Sequence, residues 1–221
     1  MFIGHAAVAL AAKPLLPRVN LAWPLAAAFW VDMVWPAFLL AGVESVKIDP
    51  GNTAFTPLDF IHYPWTHSLV AAVAWSLLFA FAFRGLSRQK GAWILGLLVF
   101  SHWALDALSH RPDLPLWPGS GTRVGLGLWY SVPATLAVEL TMFAIGIAIY
   151  VRAAPARDRT GFLAFWGLIA FLLAAYAGNV LGPPPPNVTA IAIAGLAGGV
   201  LFTAWAWWAD RHRGNSALWI G

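Results

Sequence analysis

The residues best suited to chemistry lie at positions 101–110, where His102, Asp106 and His110 recur every four residues. Side chains at this spacing share one face of an α-helix. This stretch ends an apolar run of membrane-spanning length, and an ionisable group in hydrocarbon costs at least about 2.5 kcal/mol. Imidazole and carboxylate groups bind zinc, manganese and iron. The helix face therefore predicts a metal site inside a membrane protein.

Other apolar runs carry polar residues that also need partners if they are buried. Asp32 lies halfway along the first full run, His67 begins the second, and His5 lies in a short run at the N-terminus. We expect one or two divalent ions, zinc or else manganese or iron, in a site that these runs share. The expected ligands are Asp32, His67, His102 and Asp106, with His5 as a further ligand.

Four more residues are candidates for supporting roles at the same site. His62 and His110 are expected near its mouth as general acid or base. Glu139 and Asp113 are expected around the ligands, with Asp113 placed to orient His110. Simpler roles stay open, since His102 and Asp106 could form a neutral packing pair and Glu139 could be a protonated acid bonded to a neighbouring helix.

The composition places these residues in a membrane protein. Of the 221 residues, 60% are hydrophobic and 10% are charged, and the mean hydropathy is +0.72. A soluble domain carries about 25% charged residues. We therefore predict an all-α polytopic membrane protein with one integral domain, residues 1–221. No nucleic-acid partner is expected, because the net charge of +4 reflects loops that orient the chain.

Six apolar runs are long enough to cross a core of about 30 Å, which takes about 20 helical residues. They are residues 21–42, 66–84, 91–110, 131–151, 161–181 and 188–209. A shorter run, residues 2–12, ends before Pro14 and is expected to form a half-span. Residues 1–151 are expected to carry the site, and residues 152–221 to form a scaffold helical hairpin.

The basic residues predict the orientation in the membrane, because cytoplasmic loops carry the excess of Lys and Arg. One set of loops contains Lys13, Arg18, Arg84, Arg88, Lys90, Arg152, Arg157, Arg159, Arg211 and Arg213. The other set contains Lys47, Arg111 and Arg123. We therefore predict that both termini are cytoplasmic, and that the segments 43–65, 111–130 and 182–187 face outward.

Three sequence blocks resemble the predicted membrane-bound, metal-dependent hydrolases of bacterial inner membranes, a family that includes a protein associated with the SOS repressor. The blocks are Gly4-His5-Ala6, residues 62–69 with Thr66-His67-Ser68-Leu69, and residues 101–108 followed by residues 114–118. The resemblance covers roughly residues 1–120. It implies a helical inner-membrane fold with a metal site and hydrolase activity.

The chain departs from the pattern of that family at two places. Asp32 aligns with the first Asp of the motif Pro-Asp-x-Asp-His, but the second Asp and the His are missing from the run 31–35. Tyr63 and Pro64 replace an Arg-Gly pair. These departures are compatible with fewer metal ions, a changed substrate or lost activity.

The function expected from these observations is metal-dependent hydrolysis of an ester, phosphoester or amide in a lipid or lipid-linked substrate, at the extracytoplasmic side of the bacterial inner membrane. The main alternative is a non-catalytic accessory subunit of a larger membrane complex that retains the metal site. A transporter with Asp32 and Glu139 as proton relay is less favoured, because no inverted repeat is visible. An alkaline-ceramidase-like hydrolase would normally have seven spans.

Overall fold

The computed structural model describes residues 1–86 and 91–214. In chain order the helices are α1 (Ile3–Ala11), α2 (Ala22–Ala28), α3 (Trp30–Leu40), α4 (Pro64–His67), α5 (Leu69–Leu86), α6 (Ala92–Ser109), α7 (Val132–Ala153), α8 (Arg159–Leu181) and α9 (Val188–Arg211). Within the described residues, the last five are long and apolar enough to cross a membrane. The predicted all-α polytopic membrane fold is confirmed.

The first predicted span is a broken one. Helices α2 and α3 pass the test for a span only as a pair, and they are bent by 56° at Phe29. A proline is a common cause of a kink, but Pro36 lies inside α3, away from the bend. The ring of Phe29 instead packs against Phe2, His5 and Phe202, and these contacts hold the chain at the bend. Asp32 consequently lies in the first turn of α3.

The short N-terminal helix α1 lies inside the bundle, as a half-span would. His5 and its neighbours Ile3 and Ala6 are fully buried. The helix packs closely against α7, where a Cβ atom placed on Gly146 would lie 2.5 Å from the carbonyl oxygen of Ala7. Small residues let helix backbones approach in this way inside a membrane. The glycine therefore sets the distance between α7 and the helix that carries His5.

Gly146→Ala is expected to destabilise the protein by about 1–3 kcal/mol, because the added methyl group overpacks the contact with the Ala7 backbone. The matched control is Gly198→Ala in α9, where the new Cβ would meet nothing within 4 Å. Equilibrium unfolding in mixed micelles should show the loss for Gly146→Ala alone. Equal stability of the two variants would contradict this packing.

The segments expected to face outward contain two small antiparallel hairpins. In the first, β1 (Ser45–Ile48) pairs with β2 (Leu58–His62), and in the second β3 (Leu114–Pro115) pairs with β4 (Arg123–Val124). The first hairpin was not predicted, because the run 43–65 is polar and its alternation is short. Both hairpins lie at the end of the bundle that carries α4 and the end of α6, and they cover that end.

The opposite end of the bundle is basic. Lys13 forms a buried ion pair with Asp210 at the end of α9, and Ala156 forms a backbone bridge with Arg213. Eight of the ten residues in the predicted cytoplasmic set belong to the turns and helix ends on this side, and the other two, Arg88 and Lys90, lie outside the described residues. The cytoplasmic assignment of this end stays a prediction.

Single cysteines test the orientation without background labelling, because the chain has none of its own. We expect Ala54→Cys, in the β1–β2 loop, to react with a membrane-impermeant maleimide in spheroplasts. Ala156→Cys, at the basic end, should react only after the membrane is permeabilised. Both alanines are exposed, so access alone should decide the labelling. The reverse pattern would invert the predicted topology.

Candidate metal centre

The fold brings together the five side chains that the sequence predicted as metal ligands. His5 comes from α1, Asp32 from α3 and His67 from α4, and α6 supplies His102 and Asp106. They form two overlapping groups, His5–His102–Asp106 and Asp32–His67–His102, with the ligand atoms of each group within 4.8 Å of one another. His102 belongs to both groups and is therefore the central imidazole of the cluster.

Asp106 connects these groups through its two carboxylate oxygens. Oδ2 lies 3.1 Å from Nε2 of His102 and 3.9 Å from Nε2 of His67. Oδ1 lies 3.2 Å from Nε2 of His5 and 2.5 Å from the α-amine of Met1. The carboxylate is buried, and a buried carboxylate needs cationic or hydrogen-bonding partners. Its Oδ1 side holds an amine, whereas its Oδ2 side faces imidazoles.

The spacing around Asp32 fits the edges of a coordination polyhedron. Oδ1 of Asp32 lies 3.4 Å from Nε2 of His67 and 3.5 Å from Nε2 of His102. An N–H···O hydrogen bond usually spans about 2.7–3.2 Å. Two ligand atoms of a tetrahedral zinc ion, with bonds of about 2.1 Å, are about 3.4 Å apart. These separations suit ligands that share an ion better than they suit direct hydrogen bonds.

The hydrogen bonds behind the two central imidazoles fix their tautomers. Nδ1 of His102 lies 2.8 Å from the carbonyl oxygen of Ala28, which can only accept, so Nδ1 carries the hydrogen. Nε2 of the neutral ring then presents a lone pair toward Oδ2 of Asp106, 3.1 Å away, and within the described residues no contact of this buried atom has hydrogen-bond geometry. Metal-binding histidines are held in this way by an acceptor on the far ring nitrogen.

His67 is held by a relay through a threonine. Its Nδ1 lies 2.7 Å from Oγ1 of Thr66, and that hydroxyl donates to Oε2 of Glu44 at 2.6 Å. Because the hydroxyl hydrogen points to the carboxylate, Oγ1 accepts the Nδ1 hydrogen of His67. Nε2 of His67 therefore also presents a lone pair, toward Asp32. In their neutral forms, both imidazoles therefore present Nε2 as the ligand atom.

His110 lies beside this cluster and is held by Asp113. Its Nε2 is 3.8 Å from Oδ2 of Asp106, and its Nδ1 is 3.1 Å from Oδ1 of Asp113. The sequence placed His110 at the water boundary, but it is buried, because Phe60 and Trp129 cover the ring. The contact brings Asp113 to Nδ1 of His110, and its role in orienting the imidazole stays a prediction.

Asp113 accepts hydrogen bonds from two further side chains besides His110. Its Oδ1 also accepts the hydroxyl hydrogen of Tyr63 at 2.7 Å, and its Oδ2 accepts Nε–H of Arg111 at 3.2 Å. Burial alone would raise the pKa of Asp113, but the hydrogen bonds from His110, Tyr63 and Arg111 outweigh it and lower the pKa below its ordinary value. Asp113 is therefore an ionised acceptor at neutral pH.

The sequence that carries this cluster matches one protein family over most of its length. The profile of the YdjM inner membrane protein family matches residues 1–182. The chain belongs to the YdjM inner membrane protein family. No match was found among curated proteins or among solved structures.

The YdjM match spans every residue of the cluster together with Asp113 and Glu139, and ends at the beginning of the link between α8 and α9. The membership supports the predicted bacterial inner-membrane location. The family description states a location and no reaction, so metal-dependent hydrolysis stays a prediction for this chain.

His62 and Glu139 were also predicted for the site, and both lie apart from the two ligand groups in this YdjM-family fold. His62 is exposed at the end of β2, opposite Ser45, and belongs to neither ligand group. Glu139 is buried in α7, and its Oε2 accepts the backbone N–H groups of Phe2 and Gly4 at 3.0 Å each. Glu139 thus satisfies the first turn of α1, the neighbouring helix that carries His5.

Glu44 and Thr66 are the supporting residues that sequence reasoning missed. Glu44 lies in the polar segment 43–65, but it is buried and also accepts the backbone N–H groups of Trp65 and Thr66 at the start of α4. The one available signal was the adjacency of Thr66 and His67. The partner carboxylate is 22 residues away in sequence, and only the hairpin between them brings it near.

Thr66→Val is expected to weaken zinc binding by about 10–100-fold, because it removes the acceptor that holds Nδ1 of His67. The change also removes a donor from Oε2 of Glu44, but Oε1 keeps the backbone N–H groups of Trp65 and Thr66, so the start of α4 should keep its conformation. Thr203→Val is the matched control, since the hydroxyl that it removes has no hydrogen-bond partner among the described residues. A zinc competition titration should separate the two, and equal affinities would contradict the relay.

Proposed function

We propose that this protein is a metal-dependent hydrolase of the inner membrane that acts on an ester, phosphoester or amide bond of a lipid or lipid-linked substrate. One observation carries the proposal. His67 and His102 each have Nδ1 occupied by a hydrogen bond and Nε2 turned toward Asp32 and Asp106. A neutral packing pair would not need two imidazoles prepared in the same way on different helices.

Four side chains would hold one divalent ion, with zinc as the first choice: Asp32, His67, His102 and Asp106. Two imidazoles and two carboxylates are a suitable donor set for zinc, manganese or iron. His5 stacks on His102 with ring centroids 3.7 Å apart. Its Nε2 lies 3.2 Å from Oδ1 of Asp106, and neither of its nitrogens has a contact of hydrogen-bond geometry among the described residues, so we assign it as a reserve ligand. A divalent ion supplies Lewis acidity and acidifies bound water toward a pKa of about 7.

His110 would move the proton. Its Nδ1–H is held by the ionised Asp113, so Nε2 presents a lone pair toward the side of the cluster where Asp106 lies. From there it would accept a proton from the attacking water and return it to the leaving group. Asp113 acts as a positioning residue, because it fixes the orientation of the imidazole and does not face the ligands.

The depth and exposure of the cluster favour a substrate from the membrane. His102 lies seven residues before the end of α6 at Ser109, which corresponds to about 10 Å along the helix. Asp32 is 37% exposed, whereas the other four ligands are buried. A lipid headgroup can reach this depth sideways from the bilayer. With the basic end in the cytoplasm, the reaction would take place at the extracytoplasmic side.

Metal analysis of protein purified without chelators tests the proposal directly. We expect about one zinc, manganese or iron ion per chain. The metal-containing protein, reconstituted in proteoliposomes, should then hydrolyse at least one of three fluorogenic lipid classes, carrying an ester, a phosphoester or an amide. A wild-type protein that is folded but free of metal would overturn the proposal at its first step.

A non-catalytic accessory subunit is the second candidate, and one observation favours it. Trp35 stands in the run where the resembled family has additional metal ligands, and its ring packs edge-on against His67 with centroids 6.2 Å apart. Trp35 thus fills space beside the cluster with a side chain that cannot bind a metal ion, which favours a site with fewer ligands and without activity. Isolation of a stable membrane complex that binds metal but turns over none of the three lipid classes would favour this function.

A further inference from the structure

The basic end of the bundle contains a polar cavity of about 410 Å³, and none of the candidate metal ligands lines it. It lies between the turn that follows α1, the turn that follows α7 and the end of α9. Its polar lining residues are Lys13, Arg18, Asn20, Arg157, Asp210 and Arg213. Four of these are cations and one is an anion, so the cavity carries an excess of positive charge.

The anion in the cavity, Asp210, already accepts three hydrogen bonds. Oδ2 of Asp210 accepts from Nζ of Lys13 at 2.8 Å and from the backbone N–H of Leu21 at 3.0 Å. Oδ1 accepts the hydroxyl hydrogen of Tyr150 at 2.5 Å. Within the described residues, Asp210 thus forms an ion pair with Lys13 and with none of the three arginines. Four cations face one anion, so the cavity keeps an excess of positive charge.

Of the three arginines in the cavity wall, Arg213 is held by contacts within the protein, whereas Arg18 and Arg157 can bind a ligand. Arg213 donates to the carbonyl oxygens of Ala154 and Gly161, and its guanidinium lies over aromatic rings. Arg18 and Arg157 are exposed at the cavity and form no ion pair within residues 1–86 and 91–214. Guanidinium groups bind phosphate oxygens in a two-pronged geometry.

Exposed tryptophans mark this end as a membrane interface. Trp207 and Trp208, on the last turns of α9, are 48% and 45% exposed. Tryptophans of this kind sit at the level of lipid headgroups. The side-chain amide of Asn20, in the cavity wall, donates to the carbonyl oxygen of Trp207 at 3.2 Å. The cavity therefore lies next to the headgroup layer.

We propose that this cavity binds the phosphate of an anionic membrane lipid, with Arg18 and Arg157 as the recognition pair. Basic pockets between helix ends are suited to anionic lipid headgroups. A headgroup of the phosphatidylglycerol class fits this site, because it offers one phosphate to the two arginines and polar hydroxyls to the rest of the wall.

The test is a lipid titration of the full chain in neutral detergent, read out as thermal stability. Phosphatidylglycerol should stabilise the wild type, and phosphatidylcholine should not. In Arg18→Gln/Arg157→Gln, the phosphatidylglycerol concentration needed for half of the effect should rise about 10-fold to 30-fold. The matched control is Arg84→Gln/Arg152→Gln, which removes two exposed charges that do not line the cavity.

The control separates a specific site from general attraction between a basic surface and anionic lipid. Equal losses in the two double variants would overturn the proposal, as would a wild type that phosphatidylglycerol does not stabilise. Stabilisation by inorganic phosphate alone at similar concentrations would overturn the lipid as the source of the phosphate. Native mass spectrometry should show one retained phosphatidylglycerol on the wild type and none on Arg18→Gln/Arg157→Gln. Both variants should elute as the wild type does, since the replaced side chains are exposed.

Discussion

Replacing His102 with alanine is expected to reduce the metal content of the purified protein from about one ion per chain to below about a tenth of that. His102 is the only residue common to both ligand groups within the described chain. Its loss therefore leaves each group with a single imidazole. Metal analysis by mass spectrometry, with protein quantified by amino-acid analysis, measures the ratio.

His212→Ala is the matched control for this experiment. His212 pairs with Asp158 at the opposite end of the molecule, and the pair is largely exposed. Its removal should leave the metal content unchanged. Chelator should lower the melting temperature of the wild type and of His212→Ala but not that of His102→Ala, because a ligand of the native state stabilises only a protein that binds it. An unchanged metal content of about one ion per chain in His102→Ala would show that the ion lies outside this cluster.

The second large effect is expected for His110→Gln, which should lower kcat by about 10²–10⁴-fold while the metal content stays within about twofold. Glutamine keeps a polar group of similar reach but cannot relay a proton. The separation of turnover from metal content matters, because His110 is placed beside the ligands and not among them. Turnover of the active lipid class and metal content should be measured on the same preparation.

Asp113→Asn provides a graded comparison for that result. It removes the charge that holds Nδ1 of His110, so it should lower kcat less than His110→Gln does and should change the pH profile of the reaction. If Asp113 had only a structural role, Asp113→Asn would lower the stability of the protein and leave the pH dependence of kcat unchanged. Wild-type turnover in His110→Gln would remove the histidine from the proposed mechanism.

The cluster could be predicted from sequence to the extent that it depends on helix periodicity. His102 and Asp106 are four residues apart, and in the structure their side chains meet at 3.1 Å. Asp32 and His67 were placed near them because both interrupt apolar runs, where a polar group has few partners other than another polar group. Because few polar residues lie in the apolar runs, each has few possible partners, and the cluster could be predicted from these few residues.

The supporting contacts could not be predicted in the same way. Glu44 belongs to a loop with several charged residues, and nothing local distinguishes it from Lys47 or Asp49, which remain exposed. The burial of His110 depends on Phe60 and Trp129, which are far from it in sequence. Such contacts follow from how the hairpin folds over the bundle, and periodicity carries no information about that.

The bend in the first span also links the cluster to the shape of the membrane. In an unbroken helix the carbonyl of Ala28 would accept the N–H of Asp32, four residues on. Because α2 ends at Ala28, that oxygen is available to hold the imidazole of His102 instead. Straightening the 56° bend would withdraw this acceptor and displace Asp32 together with it. A bilayer whose thickness favours a straighter span should therefore weaken the affinity for the ion, and the bound ion should in turn resist the straightening.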